Sequence, residues 1–145
     1  QDDPAYAPIL EWANDRGLVL MSHAYYPPFG EGPETVLTRY EALTTLYPRV
    51  KWVMAHQGDG GRREVVQAAR ELPNIYLETA GSGCMNGGVT QVVEGAGPDR
   101  VLYGSDYIMF DMRMQIGKIA TADIPEEAKR KILGLNAIRL LGLEA

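Results

Sequence analysis

Four short apolar segments are spaced along the chain, and each ends in polar residues. They are GLVLMSH at 17–23, RVKWVMAH at 49–56, NIYLET at 74–79 and RVLYGSD at 100–106. Their apolar residues run almost continuously instead of alternating, which is typical of parallel strands covered on both faces. The four segments are therefore predicted to be the strands of one parallel sheet.

The segments between these predicted strands have the periodicity of helices. Val36, Tyr40, Leu43 and Tyr47 recur at helical spacing, and Pro48 follows where a helix must stop. Comparable patterns predict helices in residues 8–17, 61–72, 87–97 and 112–119, and a closing helix in 123–143. Strands that alternate with helices predict an α/β fold with right-handed crossovers, either doubly wound or part of a (β/α)8 barrel.

The composition limits the classes of function. The 145 residues suit one domain, 1–145, and 46% apolar residues are ample for a core. A net charge of −5 without a basic cluster argues against nucleic acid and favours a small-molecule substrate. No apolar run reaches the roughly 20 residues that span a membrane. One cysteine and no recognisable signal peptide predict a cytoplasmic location.

Polar residues follow the predicted strands at equivalent places. His23 and His56, the only histidines, end the first two strands, Glu78 and Thr79 end the third, and Asp106 ends the fourth. We expect them to converge, because the carboxyl ends of parallel strands share one face. A single histidine there is more often structural, but two histidines and a carboxylate together favour a metal site. Their donors suit Zn2+, with Mn2+ and Fe2+ as alternatives.

Three further residues are candidates for contacting a substrate. Tyr25 follows the first strand, where aromatic packing is an equal explanation. Arg62 could bind a substrate carboxylate in bidentate fashion, although a solvated surface position is the commoner role. Ser82 lies in the glycine-rich segment 80–88, whose glycine spacing does not match a phosphate-binding loop and instead favours a tight active-site loop. No motif of a serine hydrolase or of an HExxH metalloprotease is present.

The sequence resembles the amidohydrolase-related metal enzymes of the amidohydrolase superfamily. VKWVMAHQGDGG resembles the sixth barrel strand of that family and its His-x-Gly-Gly-type loop. NIYLETAGSG resembles the seventh strand, DRVLYGSDYIMF the eighth, and IPEEAKRKILGLNAIRLLGL the closing helix. The resemblance covers essentially the whole chain and implies a TIM-type (β/α)8 barrel, of which this chain supplies strands five to eight.

The resemblance also implies roles for the strand-end residues. His23 would be the fifth-strand metal ligand, and His56 would bind metal or orient and protonate the substrate. Asp106 would contact the metal and accept a proton from the attacking water. The implied reaction is hydrolysis of a small, cyclic or carboxylated substrate. The alternatives are a metal-dependent decarboxylase on the same scaffold and a non-catalytic half-barrel that binds a ligand or a partner.

Part of the expected barrel is not present in this sequence. The family's first strand carries a His-x-His pair that the chain lacks, and a full barrel needs about 250 residues. A half-barrel would leave two sheet edges and the barrel interior exposed, which is an aggregation hazard. We therefore expect a missing N-terminal half or a second copy to complete the barrel, in a longer protein or a homo-oligomer. The isolated chain is expected to bind metal weakly and to be inactive.

Overall fold

Helices and strands alternate along the chain in the computed structural model, which describes residues 3–23, 36–57, 63–81, 83 and 85–144. The strands are β1 (Val19–His23), β2 (Lys51–Ala55), β3 (Ile75–Glu78) and β4 (Val101–Leu102). The helices are α1 (Ala7–Arg16), α2 (Val36–Leu46), α3 (Arg63–Glu71), α4 (Gly88–Ala96), α5 (Met112–Ala120), α6 (Glu126–Arg130) and α7 (Asn136–Leu141). A π-helical turn, Lys131–Leu135, joins α6 to α7, and residues 126–141 are called the closing helix below.

The four strands form one parallel sheet in the order β1-β2-β3-β4. Each strand pairs with its neighbour in sequence, and the helix between them crosses over the sheet. The α/β class and the parallel sheet predicted from the sequence are therefore confirmed. All four carboxyl ends lie along the same edge of the sheet. Within the described residues, no helix combines the length and apolar character needed to cross a membrane.

The outer face of the sheet carries the larger hydrophobic core. Trp52, Met54 and Leu77 project from β2 and β3 towards the helices and are at most 2% exposed. Val65 of α3 and Val92 of α4 are fully buried in the same cluster. Burial of side chains of this size stabilises the fold by about 1.5–3 kcal/mol each. This core fixes the helices against the sheet and so fixes the strand ends.

The inner face of the sheet carries a smaller cluster. Val53 and Leu102 are buried there against Leu140 of α7. The ammonium group of Lys51, the first residue of β2, donates to the Leu140 carbonyl at 3.1 Å, so α7 lies at the amino end of the strands. Met21, which pairs with Val53, is 64% exposed towards the carboxyl end. Within the part of the chain that the structure describes, α7 thus covers the amino end of the inner face, and Met21 of β1 is exposed beyond it.

The closing helix also bonds to the free edge of β4. The Tyr103 amide donates to the Ile132 carbonyl in the π turn at 2.9 Å. The buried Asn136 side chain donates to the carbonyls of Val101 and Pro98, both at 2.7 Å. Strand β4 is consequently shorter than the predicted segment 100–106, because its chain leaves the sheet to meet a helix. At the β4 edge, expected to be open, these bonds occupy the carbonyl of Val101 and the amide of Tyr103, so that edge is partly covered.

Candidate active site

A cavity of about 490 Å³ lies at the carboxyl ends of the four strands. The predicted ligands His23, His56 and Asp106 all line it, together with Glu78 and residues 103–105. A second cavity of about 440 Å³ lies between the start of α4 and α5, and none of these residues lines it. The convergence expected from the sequence is therefore present at the first cavity.

The two histidine side chains meet directly in this cavity. Their Nε2 atoms lie 2.8 Å apart, and the ring centroids are 4.6 Å apart at an interplanar angle of 62°. Such a contact requires one nitrogen to carry a proton and the other to accept it. Two nitrogens bound to one divalent cation lie roughly 3 Å apart, given metal–nitrogen distances near 2.0–2.1 Å. The pair therefore has the spacing of two ligands to one cation.

His56 is held in an uncommon backbone conformation. Its φ is +63°, in the left-handed region that residues with a Cβ rarely adopt. A Cβ placed on Gly81, after β3, would lie 3.3 Å from Nδ1 of His56, so the imidazole lies directly against that glycine. Nδ1 is buried, and no described residue forms a hydrogen bond with it. Nε2 is therefore the nitrogen that faces the cavity.

Helix α5 fixes the loop that carries Gly81. The side chains of Gln115 and Lys118 both donate to the Gly81 carbonyl, at 2.9 Å and 2.8 Å. Gln115 is buried, and Asp111 begins the helix by accepting the Arg113 amide at 2.8 Å. The neighbouring Arg113 lowers the pKa of Asp111 to about 2, which keeps this cap ionised. The extra helical segment predicted after the last strand therefore supports the wall beside His56.

Asp106 lies on the opposite wall of the cavity. It is half-buried, and its φ of +51° turns the chain sharply after β4. Its carbonyl accepts the amides of Met109 and Phe110, at 2.8 Å and 3.3 Å. Within the described ranges, no three His, Cys, Asp or Glu side chains are arranged to hold a metal ion. The structure thus joins two of the predicted ligands and places the third on the same cavity.

Glu78 is a site residue that the sequence prediction left without a role. It is 4% exposed, and its carboxylate accepts the His56 amide at 3.1 Å and the Ala80 amide at 2.6 Å. A Cβ on Gly104 would lie 1.6 Å from Oε1 of Glu78, so only glycine allows this approach. The signal in the sequence was an acidic residue at the end of a strand that is otherwise apolar.

The three predicted substrate-binding residues lie outside the described residues. Tyr25 falls in the segment after β1, Arg62 in the segment before α3, and Ser82 in the loop after β3. Their proposed contacts with substrate stay predictions.

The family of the chain is shown by its sequence. The sequence model described as amidohydrolase matches residues 1–143. No curated protein matches the chain.

Solved structures show the same fold. The 5-carboxyvanillate decarboxylase from Sphingomonas paucimobilis is 23% identical, with a TM-score of 0.72 over 99% of this chain and 55% of that one. A dihydroxybenzoic acid decarboxylase from Polaromonas, with bound manganese and the inhibitor 2-nitroresorcinol, is 20% identical, with a TM-score of 0.73 over 97% and 55%. A putative amidohydrolase from Staphylococcus aureus is 19% identical, with a TM-score of 0.67 over 98% and 60%.

These proteins are nearly twice as long as the chain. It spans between 55% and 60% of their lengths, which agrees with the predicted half of a TIM-type barrel and excludes the doubly wound alternative. With the family model matching residues 1–143, this chain belongs to the amidohydrolase family.

Proposed function

We propose that the chain supplies half of the active site of a metal-dependent enzyme that decarboxylates a small carboxylated substrate. The observation that carries this proposal is the meeting of His23 and His56 in the cavity that Asp106 also lines. The decarboxylases among the similar structures support this reaction. Hydrolysis, which the sequence predicted first, is the second candidate.

The donors of the cavity fit a divalent cation. His23 and His56 would hold it through Nε2, and Asp106 would complete this half of the site. Imidazole and carboxylate suit Zn2+, Mn2+ and Fe2+ alike, and the manganese in the Polaromonas protein makes Mn2+ the first cation to test. When bound, the cation would stabilise negative charge on substrate oxygen atoms.

Asp106 is proposed to move the proton. Loss of CO2 leaves an electron pair on the substrate carbon, and a proton must be delivered to that carbon. The half-buried carboxyl group of Asp106 lines the cavity and can hold this proton. General acid catalysis of this kind contributes about 10²–10⁴-fold to a rate. His56, fixed by its backbone and by Gly81, would keep its Nε2 directed to the cation.

The hydrolytic candidate uses the same residues, but the proton moves to Asp106 instead of from it. Asp106 would accept a proton from the attacking water, and His56, with its Nε2 on the substrate in place of the cation, would stabilise the charge that develops on the carbonyl oxygen. The description of the family supports this reaction. Assaying CO2 release against ring opening or amide cleavage separates the two candidates.

The site is proposed to need a second half. The inner face is open at Met21, and similar proteins extend well beyond the length of this chain. A missing N-terminal half or a second copy of the chain would cover that face and complete the cavity. A stable, monodisperse monomer of this chain in light scattering would contradict this part of the proposal.

The test of the function is Asp106→Asn in the protein with its barrel completed. With Mn2+ and a panel of carboxylated aromatic acids, we expect CO2 release to fall by about 10²–10⁴-fold while the fold is kept. Asp15→Asn, on the exposed surface of α1, is the matched control and should not change the rate. Removal of metal by a chelator should abolish turnover, and added Mn2+ should restore it. Unchanged turnover in Asp106→Asn, or turnover without any metal, would overturn the proposal.

A further inference from the structure

We propose that Glu78 is a positioning residue that holds His56 in its cavity-facing conformation and sets the separation between the ends of β2 and β4. The inference deepens the proposed function, because it concerns how a predicted metal ligand is placed. The contacts on which it depends exist whatever reaction the site performs, so they can be tested separately.

Glu78 bonds to the end of β2 through both its side chain and its main chain. Its carboxylate Oε2 accepts the amide of His56 at 3.1 Å. Its carbonyl accepts the amide of the next residue, Gln57, at 2.7 Å. Two consecutive residues of the β2 end are thereby fixed to one residue of β3, just where the regular strand pairing stops at Met54 and Leu77.

The carboxylate also compensates for the backbone conformation of His56. With a φ of +63°, His56 would relax to a more favourable conformation unless its surroundings held it. A buried amide that lost its acceptor would carry the cost of an unsatisfied polar group. The bond to Glu78 therefore opposes the rotation that would carry the imidazole out of the cavity.

The other carboxylate oxygen reaches the third and fourth strand ends. Oε1 accepts the amide of Ala80 at 2.6 Å. Ala80 directly precedes Gly81, the glycine that lies against the His56 ring. The same atom lies so close to Gly104 that a Cβ there would be only 1.6 Å away. Gly104 precedes Asp106 by two residues, so the carboxylate lies between the histidine and aspartate walls of the cavity.

This arrangement points to positioning instead of a catalytic role. Both oxygens of Glu78 are occupied by backbone amides, and the residue is 4% exposed. A group that exchanges protons with substrate needs an oxygen that is not already occupied in this way. Glu78 instead acts on the site through His56, Ala80 and Gly104.

The test is Glu78→Gln in the full chain, followed by hydrogen exchange and NMR spectroscopy. Glutamine has the same shape but offers one acceptor oxygen to two amides, so one bond must be lost. We expect the amide of His56 or Ala80 to exchange at least about tenfold faster, while the amide of Val53 within β2 keeps its rate. The side-chain resonances of His56 and His23 should shift with it. Glu94→Gln, on the exposed face of α4, should change none of these signals.

Two outcomes would overturn the inference. One is equal acceleration of the His56, Ala80 and Val53 amides, which would mean that Glu78 only stabilises the whole fold. The other is unchanged exchange and unchanged histidine resonances in a folded Glu78→Gln variant.

A second variant covers the case in which Glu78→Gln does not fold. Gly104→Ala keeps the glutamate at position 78 but puts a methyl group where its carboxylate lies. The carboxylate must then move, so the variant should produce the same local exchange pattern. Unaltered exchange at His56 and Ala80 in that variant would also overturn the inference. If the exchange pattern appears but the completed enzyme shows no metal-dependent turnover, the positioning role stands and the proposed function fails.

Discussion

The two faces of the sheet come from the same strands but are covered very differently. On the outer face, Met54 and Leu77 are completely buried against the helices. On the inner face, Met21 is 64% exposed, and Val53 is buried against Leu140 of the closing helix. Successive side chains of a strand point to opposite faces, so one apolar run supplies both surfaces.

This difference shows that the residues that stabilise the fold and the residues of the candidate site lie on opposite faces of the sheet. Helices cover the outer face within the described residues, and its buried side chains determine how those helices pack. The inner face carries His23, Glu78 and the cavity, and among the described residues Met21 of β1 is exposed there while Ala55 and Glu78 are buried. Met21 is therefore a position where the proposed second half of the barrel is expected to make contact.

The largest expected effect comes from a matched pair of methionine substitutions. Met54→Ala on the outer face should lower the free energy of unfolding by about 2–5 kcal/mol, since a buried side chain leaves a cavity. Met21→Ala on the inner face should change it by no more than about 0.5 kcal/mol. Urea denaturation of both variants measures the difference. If the barrel is completed by a second half, Met21→Ala should cost more in the completed protein than in the chain alone. Equal costs at the two positions would remove the distinction between the faces.

An intermediate effect is expected where the closing helix covers β4. Asn136→Ala removes three hydrogen bonds, two donated to the carbonyls of Pro98 and Val101 and one accepted from Arg139, and leaves the carbonyl of Val101 without that partner. Since unsatisfied buried polar groups cost about 1–3 kcal/mol, the free energy of unfolding should fall by that amount.

Asn86→Ala, at an exposed position before α4, is the control for Asn136→Ala. In hydrogen exchange, the amide of Tyr103 should lose its protection before the amides at the centre of β2 do. A variant as stable as the unaltered chain would mean that the closing helix does not hold this edge.

The smallest effect concerns the charge that ties the closing helix to the turn before β4. Lys131, and with it Arg139, bonds to Asp99 and holds the pKa of that carboxyl below its ordinary value of 3.8. A lowered pKa means that the ionised form stabilises the fold above the ordinary value, and that this stability is lost as the pH falls through the folded value. Because Asp99 is about half exposed, the contribution should not exceed about 1 kcal/mol.

Comparing Asp99→Asn with the unaltered chain from pH 7 down to pH 3 tests this sign. The difference in unfolding free energy should be present at pH 7 and should begin to shrink as the pH falls below 3.8. A difference that grows on acidification would contradict it.

Much of the fold could be predicted because each βα unit carries its own signal. The apolar runs and the helical periodicity act locally, and Gly17, with a φ of +62°, ends α1 where predicted. The length of β4 could not be predicted, because it depends on a bond between Tyr103 and Ile132 across 29 residues of sequence. The spacing of units also could not separate a barrel from a doubly wound sheet, since both use the same alternation.

The sequence could predict which residues meet at one edge of the sheet but not the geometry of that edge. The position of His23, His56 and Asp106 after strands indicated a shared edge, and the cavity lies there. The positive φ of His56 and Asp106 was not visible, because neither residue type demands it. The role of Glu78 depends on amides from two other segments, which no local pattern encodes.

The strand order has a consequence for how the chain is made. Every strand pairs with the one that precedes it in sequence, so each new unit emerging from a ribosome finds its neighbour already synthesised. The free edge of β4 is the exception, because Val101 and Tyr103 bond there to Asn136 and Ile132, which are synthesised about 30 residues later. Until residues 132–136 are translated, the free edge of β4 lacks these hydrogen bonds. A ribosome that stalls before Asn136 would therefore hold a correctly ordered sheet whose newest strand is still free to pair with another chain.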